Sequence, residues 1–280
     1  MEPATLLSCL RKCLEMPLTT DQMQHQIEVP SYPQRIVSLV PSQTELLHYL
    51  GLGERVIGIT KFCVHPNDWY RSKTRVGGTK NVKFDRLAAL KPDLIIGNKE
   101  ENSESDIKQL QKAYPVWMSD MQTFEAVWDM ILSIGKLVGK VDKAKSLVEQ
   151  LQKDLADLKT LVQGQQRLRV AYFIWQKPYM IAASNTFIDQ MLDVAGFDNV
   201  FGNNVRYPEI TALQLKEADP QVIFLSSEPY PFKEKHIEQF QVICSNAAVE
   251  IVDGEIFSWY GSRMLHFLDY VKKLRQKLTS

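Results

Sequence analysis

The sequence lacks the features that mark several function classes. Its four cysteines, Cys9, Cys13, Cys63 and Cys244, are scattered. They form neither a disulfide framework nor a paired CxxC zinc pattern. Cys9 and Cys13 stand one helical turn apart and read as two thiols on an N-terminal helix rather than a metal pair. The five histidines show no HxxxH or HxH spacing, which argues against a three-histidine zinc receptor, and no metal site is expected. No run approaches the ~20 apolar residues that cross a bilayer, so no membrane span is expected. There is no GxGxxG after a strand, no GxxxxGK[ST] and no GxSxG. Asp253 and Glu255 could pair as carboxylates, but no nucleophile–base pair accompanies them, so no catalytic residue and no enzyme are expected. Charge of one sign is also missing: thirty-three basic residues balance thirty-three acidic ones. That gives no reason to expect a nucleic-acid partner or an anionic membrane surface. The segment MEPATLLSCLRKCLEM has no basic n-region and makes a poor secretory signal, so the chain as written reads as cytoplasmic.

What is present is 280 residues, 45% apolar and 24% charged, about right for two lobes. A β-branched run over 36–40 breaks at Pro41 into LVPSQTELLHYLGLG. Ser42 and Glu45 read as a capping box, and Gly51 and Gly53 as the helix stop. A strand over 55–59 follows, then the loop KFCVHPNDWYRSKTRVGGTKN, whose length of about twenty residues points to function. Helix 84–90, strand 94–97, helix 104–113 and strand 114–118 complete an alternation that argues for a parallel sheet. Thr123 reads as the cap of a helix to about Val138. Asp142 then reads as the cap of a second helix, where Ala144, Leu147, Val148, Leu151, Leu155, Leu158 and Leu161 recur at spacings of three and four. Some 22 residues at 1.5 Å each give roughly 33 Å, the length of a strut between lobes. Strand-rich sequence resumes at Arg167, with strands expected over 168–174, 222–226 and 249–252 and a helix over 211–217. LAALKPDLII (87–96) matches LKEADPQVIF (215–224), which supports two related lobes. The expected division is a lead-in over 1–33, a first α/β lobe over 34–122, a helical linker over 123–166 with its backbone helix at about 142–163, and a second α/β lobe over 167–280.

Ligands of parallel sheets bind beyond the carboxyl ends of strands. The residues falling there are Pro41, Ser42, Phe62, His65, Thr79, Asn98 and Lys99 in the first lobe. In the second they are Trp175, Tyr179, Arg206, Tyr207, Glu228, Trp259, Tyr260 and Arg263. Such an aromatic set with a few polar groups suits a large, flat ligand held by stacking. Trp259-Tyr260 beside Arg263 is the sharpest element, because a guanidinium can clamp a carboxylate or phosphate.

Four segments in order, RIVSLVPSQTELLHYLGLGERVIGIT, FDRLAALKPDLIIG, IWQKPYMIAASNTFIDQMLDVAGFDNVFG and FSWYGSRML, carry a resemblance to a known family. The chain resembles the cobalamin- and siderophore-type substrate-binding proteins of ABC importers, the helical-backbone metal receptors. The resemblance implies an α/β fold of two lobes with parallel sheets bridged by one long rigid helix, of the class III periplasmic-binding-protein type, with the ligand in a cleft between them. It implies a bound cobalamin, iron-siderophore or haem, no cofactor of its own, an ABC permease and ATPase as partners, a monomer, and a periplasmic or cell-surface location. By position it places ligand-binding aromatics at Phe62, Tyr179, Tyr207 and Trp259, a polar contact at Arg263 and a permease-docking acid at Asp85. The chain departs from the pattern at the second docking position, which holds Leu213 with Glu209 and Glu217 nearby. It departs again at Gly77-Gly78-Thr79-Lys80 and Asn98, where cobalamin binders can carry a tryptophan. The alternative is a cytoplasmic enzyme or cofactor-handling protein on the same plan, with His65, Glu228 or Glu255 as acid–base groups.

Overall fold

The computed structural model describes residues 16–279, so Cys9 and Cys13 lie outside the described residues. The chain divides into two units. The first runs to Met121 and adds Glu125–Glu149 and Tyr260–Ser262; the second holds Gln122–Phe124, Gln150–Trp259 and the residues from Arg263 on.

The first unit begins with an antiparallel hairpin, β1 (Leu18–Thr20) and β2 (Gln26–Glu28), where only a polar lead-in is expected. Its turn is organised by the buried Asp21, whose Oδ1 accepts from the amides of Met23 (2.9 Å) and His25 (2.8 Å). Two three-residue strands are too short to leave a periodic signal. The main sheet holds β3 (Ile36–Ser38), β4 (Val56–Ile59), β5 (Thr74–Arg75), β8 (Leu94–Asn98) and β9 (Val116–Ser119). Its order is β5-β4-β3-β8-β9, parallel throughout. All of β3 and β8 is buried, as expected where both faces of a parallel sheet are covered.

Helix α1 (Pro41–Tyr49) follows β3 at once. The expected Ser42–Glu45 capping box does not form. Val40 is the N-cap and Pro41 takes the first helical position, where its missing N–H costs nothing and its fixed φ suits the helix. Gly51, at φ +81°, ends the turn and its amide donates to the His48 carbonyl (2.8 Å). The expected long loop is mostly structured: it holds α2 (Asn67–Ser72), the edge strand β5 and a hairpin of β6 (Gly77–Gly78) and β7 (Asn81–Val82). The remaining helices are α3 (Phe84–Leu90), α4 (Glu104–Gln111) and α5 (Phe124–Leu137).

Helix α6 (Val141–Val162) has the expected 22 residues. Asp142 lies within its first turn rather than capping it. Ala144, Leu147, Val148, Leu151 and Leu158 are buried. Leu161 is exposed in the last turn, where the apolar stripe has outrun its packing. The unit boundary falls inside this helix, between Glu149 and Gln150.

The second unit contains β10 (Leu168–Trp175), β11 (Tyr179–Ile181), α7 (Phe187–Val194), β12 (Phe197–Asn199), β13 (Glu209–Ile210), α8 (Ala212–Ala218), β14 (Val222–Ser226), α9 (Ile237–Ile243), β15 (Ala248–Val252), α10 (Gly254–Ser258) and α11 (Phe267–Thr279). The order is β13-β11-β10-β14-β15, with β12 also on β10. The β10, β12, β14 and β15 pairings are parallel. Its β11 and β13 edge is antiparallel, a feature the strand–helix alternation did not predict. β10 is long enough to take β12 along its first half and β11 along its second. Phe173, Leu225 and Phe240 lie in the core of this unit, with the Phe173 and Phe240 rings 4.6 Å apart.

Candidate functional site

Strand order reverses at one place in each sheet, between β3 and β8 in the first and between β10 and β14 in the second. Loops leaving such strands diverge and open a crevice at their carboxyl ends. Pro41 and Ser42 follow β3, and Asn98 and Lys99 stand at and just past the end of β8. Trp175 ends β10, and Glu228 follows β14. The break at Pro41 therefore stands at a topological switch point.

Apart from the Lys99–Asp120 ion pair at its edge, the first switch point rests on neutral polar groups. Thr44 Oγ1 lies 2.8 Å from Ser38 Oγ and 2.9 Å from the Val40 carbonyl, and it also reaches Cys63 Sγ at 3.1 Å. Burial pushes the Cys63 thiol up, and its hydroxyl partners oppose that. The Asn98 amide is engaged at both ends. It donates to Ser119 Oγ (3.1 Å), and its Oδ1 accepts from the amides of Glu100 (2.9 Å) and Glu101 (3.0 Å). Asn102, which sequence reasoning passed over, is the tie. Its side chain accepts from the Asn98 backbone N–H (2.8 Å) and donates to the carbonyls of Leu39 (3.2 Å) and Thr79 (3.0 Å). That fastens the β6–β7 hairpin tip to the switch point. The only hint in the sequence was the polar run NKEENSES. Lys99 is paired with Asp120 at 2.6 Å. Pro41 and Ser42 are buried, and His65 is half-buried just before α2. Phe62 is 50% exposed. Its ring lies against Gly78, where an added Cβ would come within 3.2 Å of it, and the Lys61 ammonium stands 4.8 Å from the ring centroid.

The second switch point is aromatic and charged. Trp175 is 38% exposed and meets Tyr230 edge-on at 5.4 Å. Its indole N–H donates to the Lys177 carbonyl (3.1 Å). The Tyr230 hydroxyl donates to Gln176 Oε1 (2.6 Å), so the supporting ring is itself fixed. Arg206, at φ +68°, lies over the Tyr207 ring at 5.5 Å. Tyr179 instead packs on Phe173 and Phe240, which draws it toward the core.

Glu228, Trp259, Glu255 and Arg263 come together, but not as the open plate expected. Trp259 is only 7% exposed and Tyr260 is equally buried. The Trp259 indole N–H donates to Glu228 Oε1 (2.8 Å), and Ser258 Oγ donates to the same oxygen (2.9 Å). Arg263 stands 5.1 Å from the Trp259 ring centroid and 3.3 Å from Glu255. Close approach of β14 and β15 beyond their ends requires Gly254, since a Cβ there would overlap Ser226 Oγ and come within 2.6 Å of Glu228 Cγ. Below them the Tyr172 hydroxyl donates to Ser226 Oγ (3.1 Å), which donates to the Glu228 carbonyl (2.6 Å). Burial raises the Glu228 carboxyl above the usual carboxylate range. The Ser258 bond lowers it in part, while Glu255 and Asp253 raise it further.

Asp85 is exposed in the first turn of α3. Leu213 occupies the matching first turn of α8 and is 65% exposed. Among the described residues, no group of three or more His, Cys, Asp or Glu is placed to hold a metal ion. No described helix is long and apolar enough to cross a membrane.

Comparison with known proteins gives a consistent picture. Residues 36–248 match a family described as periplasmic binding protein. An uncharacterised ABC transporter substrate-binding lipoprotein of Bacillus subtilis is 30% identical over 219 residues, which cover 74% of this chain and 68% of the relative. The vitamin B12-binding protein of Vibrio parahaemolyticus is 24% identical over 216 residues, 76% of this chain and 77% of the relative. The crystal structure of the periplasmic vitamin B12 binding protein of Vibrio cholerae superposes with a TM-score of 0.76 at 22% identity, covering 89% of this chain and 98% of that one.

Proposed function

The chain belongs to the periplasmic binding protein family, and from that membership we propose that it is a non-catalytic receptor for a corrinoid or comparable metal chelate. The observation that carries this reading is the pair of large aromatics left open beside the switch points, Phe62 and Trp175. Each has a backing neighbour, the Gly78 backbone with the Lys61 side chain in one case and Tyr230, held by Gln176, in the other. Exposed rings on a rigid support favour stacking on a flat macrocycle, because little side-chain freedom is lost on binding. The name of the Vibrio parahaemolyticus relative supports a corrinoid; haem and ferric siderophores share the flat or chelated chemistry. The Bacillus subtilis relative supports delivery to an ABC importer and a place outside the cytoplasmic membrane. The expectation of a cytoplasmic protein finds no support among the relatives. In this reading Asp85 meets the permease, and the ligand is cargo rather than a resident cofactor.

Two of the three acid–base candidates of the enzyme alternative are engaged elsewhere, and His65 is the candidate that remains. Glu228 is held by Trp259 and Ser258, and Glu255 by Arg263. The test is direct titration with cyanocobalamin, haemin and a ferric hydroxamate, followed by tryptophan quenching and the visible spectrum of the chelate. A saturable complex with an unaltered chelate is expected. Phe62→Ala and Trp175→Ala should each weaken it by about 2 kcal/mol if those rings stack. Unchanged affinity in both variants would remove the aromatic rims from the site, and a chemically altered chelate would return the enzyme reading.

A further inference from the structure

The corner of the second unit beyond β14 and β15 holds more negative than positive charge in a place where water screens it poorly. Glu228, Glu255 and Asp253 converge there against, among the described residues, the guanidinium of Arg263, which is already paired with Glu255 at 3.3 Å. Asp253 caps α10, accepting from the amides of Glu255 (3.0 Å) and Ile256 (3.4 Å). Its own backbone N–H donates to the Tyr270 hydroxyl oxygen (2.9 Å). Tyr172 approaches from β10 through Ser226. Basic side chains on the loops of this unit include Lys177, which is exposed, Lys233 and Lys235, exposed in the segment that follows Glu228, and Arg206, which lies over Tyr207 and donates to the Asn185 carbonyl (3.3 Å). Both hydrogen bonds to the Glu228 carboxyl fall on Oε1. Oε2 accepts none among the described residues.

We propose that Glu228 is a specificity-determining residue, one that selects chelates rimmed by neutral hydrogen-bond donors, such as amides, over chelates carrying carboxylates. The inference rests on the receptor reading given above and deepens it. An amide N–H arriving at this corner finds a fixed carboxylate oxygen, and a bond to an ionised acceptor is about twice as strong as a neutral one. A ligand carboxylate arriving there meets like charge in a partly desolvated setting, which weakens its binding. Its alternative is to bind with uptake of a proton, which the raised carboxyl of Glu228 makes accessible. Arg263 faces Glu255 at 3.3 Å, so part of its charge is already offset before a ligand carboxylate arrives.

The experiment measures dissociation constants of the full chain for cyanocobalamin, whose periphery is amides, and for haemin, which carries two propionates. Both are taken at about pH 5.5 and about pH 8, for the native chain and for Glu228→Gln. The Gln side chain keeps an acceptor for Trp259 and Ser258, so folding is not at issue. The native chain is expected to prefer cyanocobalamin, and to bind haemin more weakly as pH rises. Glu228→Gln should shift the ratio of the two constants toward haemin by about tenfold and flatten haemin's pH dependence. Tighter haemin binding by the native chain, or a ratio that the substitution leaves within about threefold, overturns the inference while the receptor reading stands. A native chain that binds neither chelate overturns the inference, and one that also fails to bind the ferric hydroxamate overturns the receptor reading itself.

Discussion

The two units repeat one local device and differ in the chemistry mounted on it. In the first, α3 ends in Lys91 at φ +46° and leads through Pro92 into β8. In the second, α8 ends in Asp219 at φ +43° and leads through Pro220 into β14. Both helices have seven residues and both strands five, all of them buried. A left-handed residue followed by proline stops a helix and points the chain back along the sheet, whichever unit it serves. The switch points above these strands are unlike. The first is built from hydroxyls and amides, Thr44, Ser119, Asn98 and Asn102, and the second from carboxyls, a guanidinium and an indole. Repeating a backbone device therefore fixes where a site can be, while its charge is set by a handful of loop side chains.

The largest test of that contrast is Asn102→Ala. It strips partners from a buried N–H at Asn98 and from two carbonyls, so a loss of about 3 kcal/mol is expected, at a cost of ~1–3 kcal/mol for each buried polar group left unmade. Urea unfolding should give the same loss at pH 5 as at pH 8, because no titrating group takes part. A pH-dependent loss would mean that the first switch point is electrostatic after all. Gly254→Ala should come next. The added methyl has to displace Glu228 or Ser226, and overpacking of this kind costs about 2 kcal/mol. Trp259 fluorescence should change in the same variant, since Glu228 holds the indole. An unperturbed spectrum would show that the carboxyl does not position it.

The elements were legible where burial imposes a period. Helix α6 shows its length through seven spaced apolar residues, and α3 with its proline turn was placed at Phe84–Leu90 as found. The exposed aromatics Phe62 and Trp175 could be found because they follow recognisable strand ends. What stayed hidden depends on contacts distant in sequence. Trp259 read as a stacking plate because nothing in FSWYGSR reveals that Glu228, thirty-one residues earlier, takes its N–H. Asn102 looked like loop filler, since its three partners lie in separate segments. The β1–β2 hairpin and the antiparallel β11–β13 edge are made of strands of two or three residues, too short for alternation to show.

Charge sharpens the comparison through pH. The folded-state pKa of Glu228 lies above the ordinary carboxylate value, so between those two values the folded chain binds more protons than the unfolded one. Stability from this group therefore falls as pH rises through that window and is recovered on acidification. Glu228→Gln should remove that part of the slope, so the native chain and the variant should converge at low pH and separate above it, with the variant the more stable. Parallel curves would place Glu228 in a better-solvated setting than its contacts indicate. Asn98, the counterpart at the first switch point, does not titrate and should contribute no slope.

The smallest expected effects come from exchanging the first-turn residues of the two matching helices. α3 has no side-chain cap, since Lys83 at its N-cap makes none, and Asp85 is the acid in its first turn. α8 has a full capping box, with Thr211 and Gln214 bonded reciprocally, and no acid in its first turn. A carboxylate near a helix N-terminus contributes about 0.3–1 kcal/mol through the unsatisfied N–H groups. Asp85→Leu should therefore cost roughly 0.5 kcal/mol, and about 0.5 M sodium chloride should shrink the loss by screening. Leu213→Asp should gain less, because Thr211 already satisfies one of the amides the new carboxylate would face. If the two changes are equal and opposite, capping has no bearing on the dipole in these short helices. If Asp85→Leu costs nothing in stability yet abolishes transport with a cognate permease, Asp85 serves docking alone, and the fold has no need of an acid at that turn.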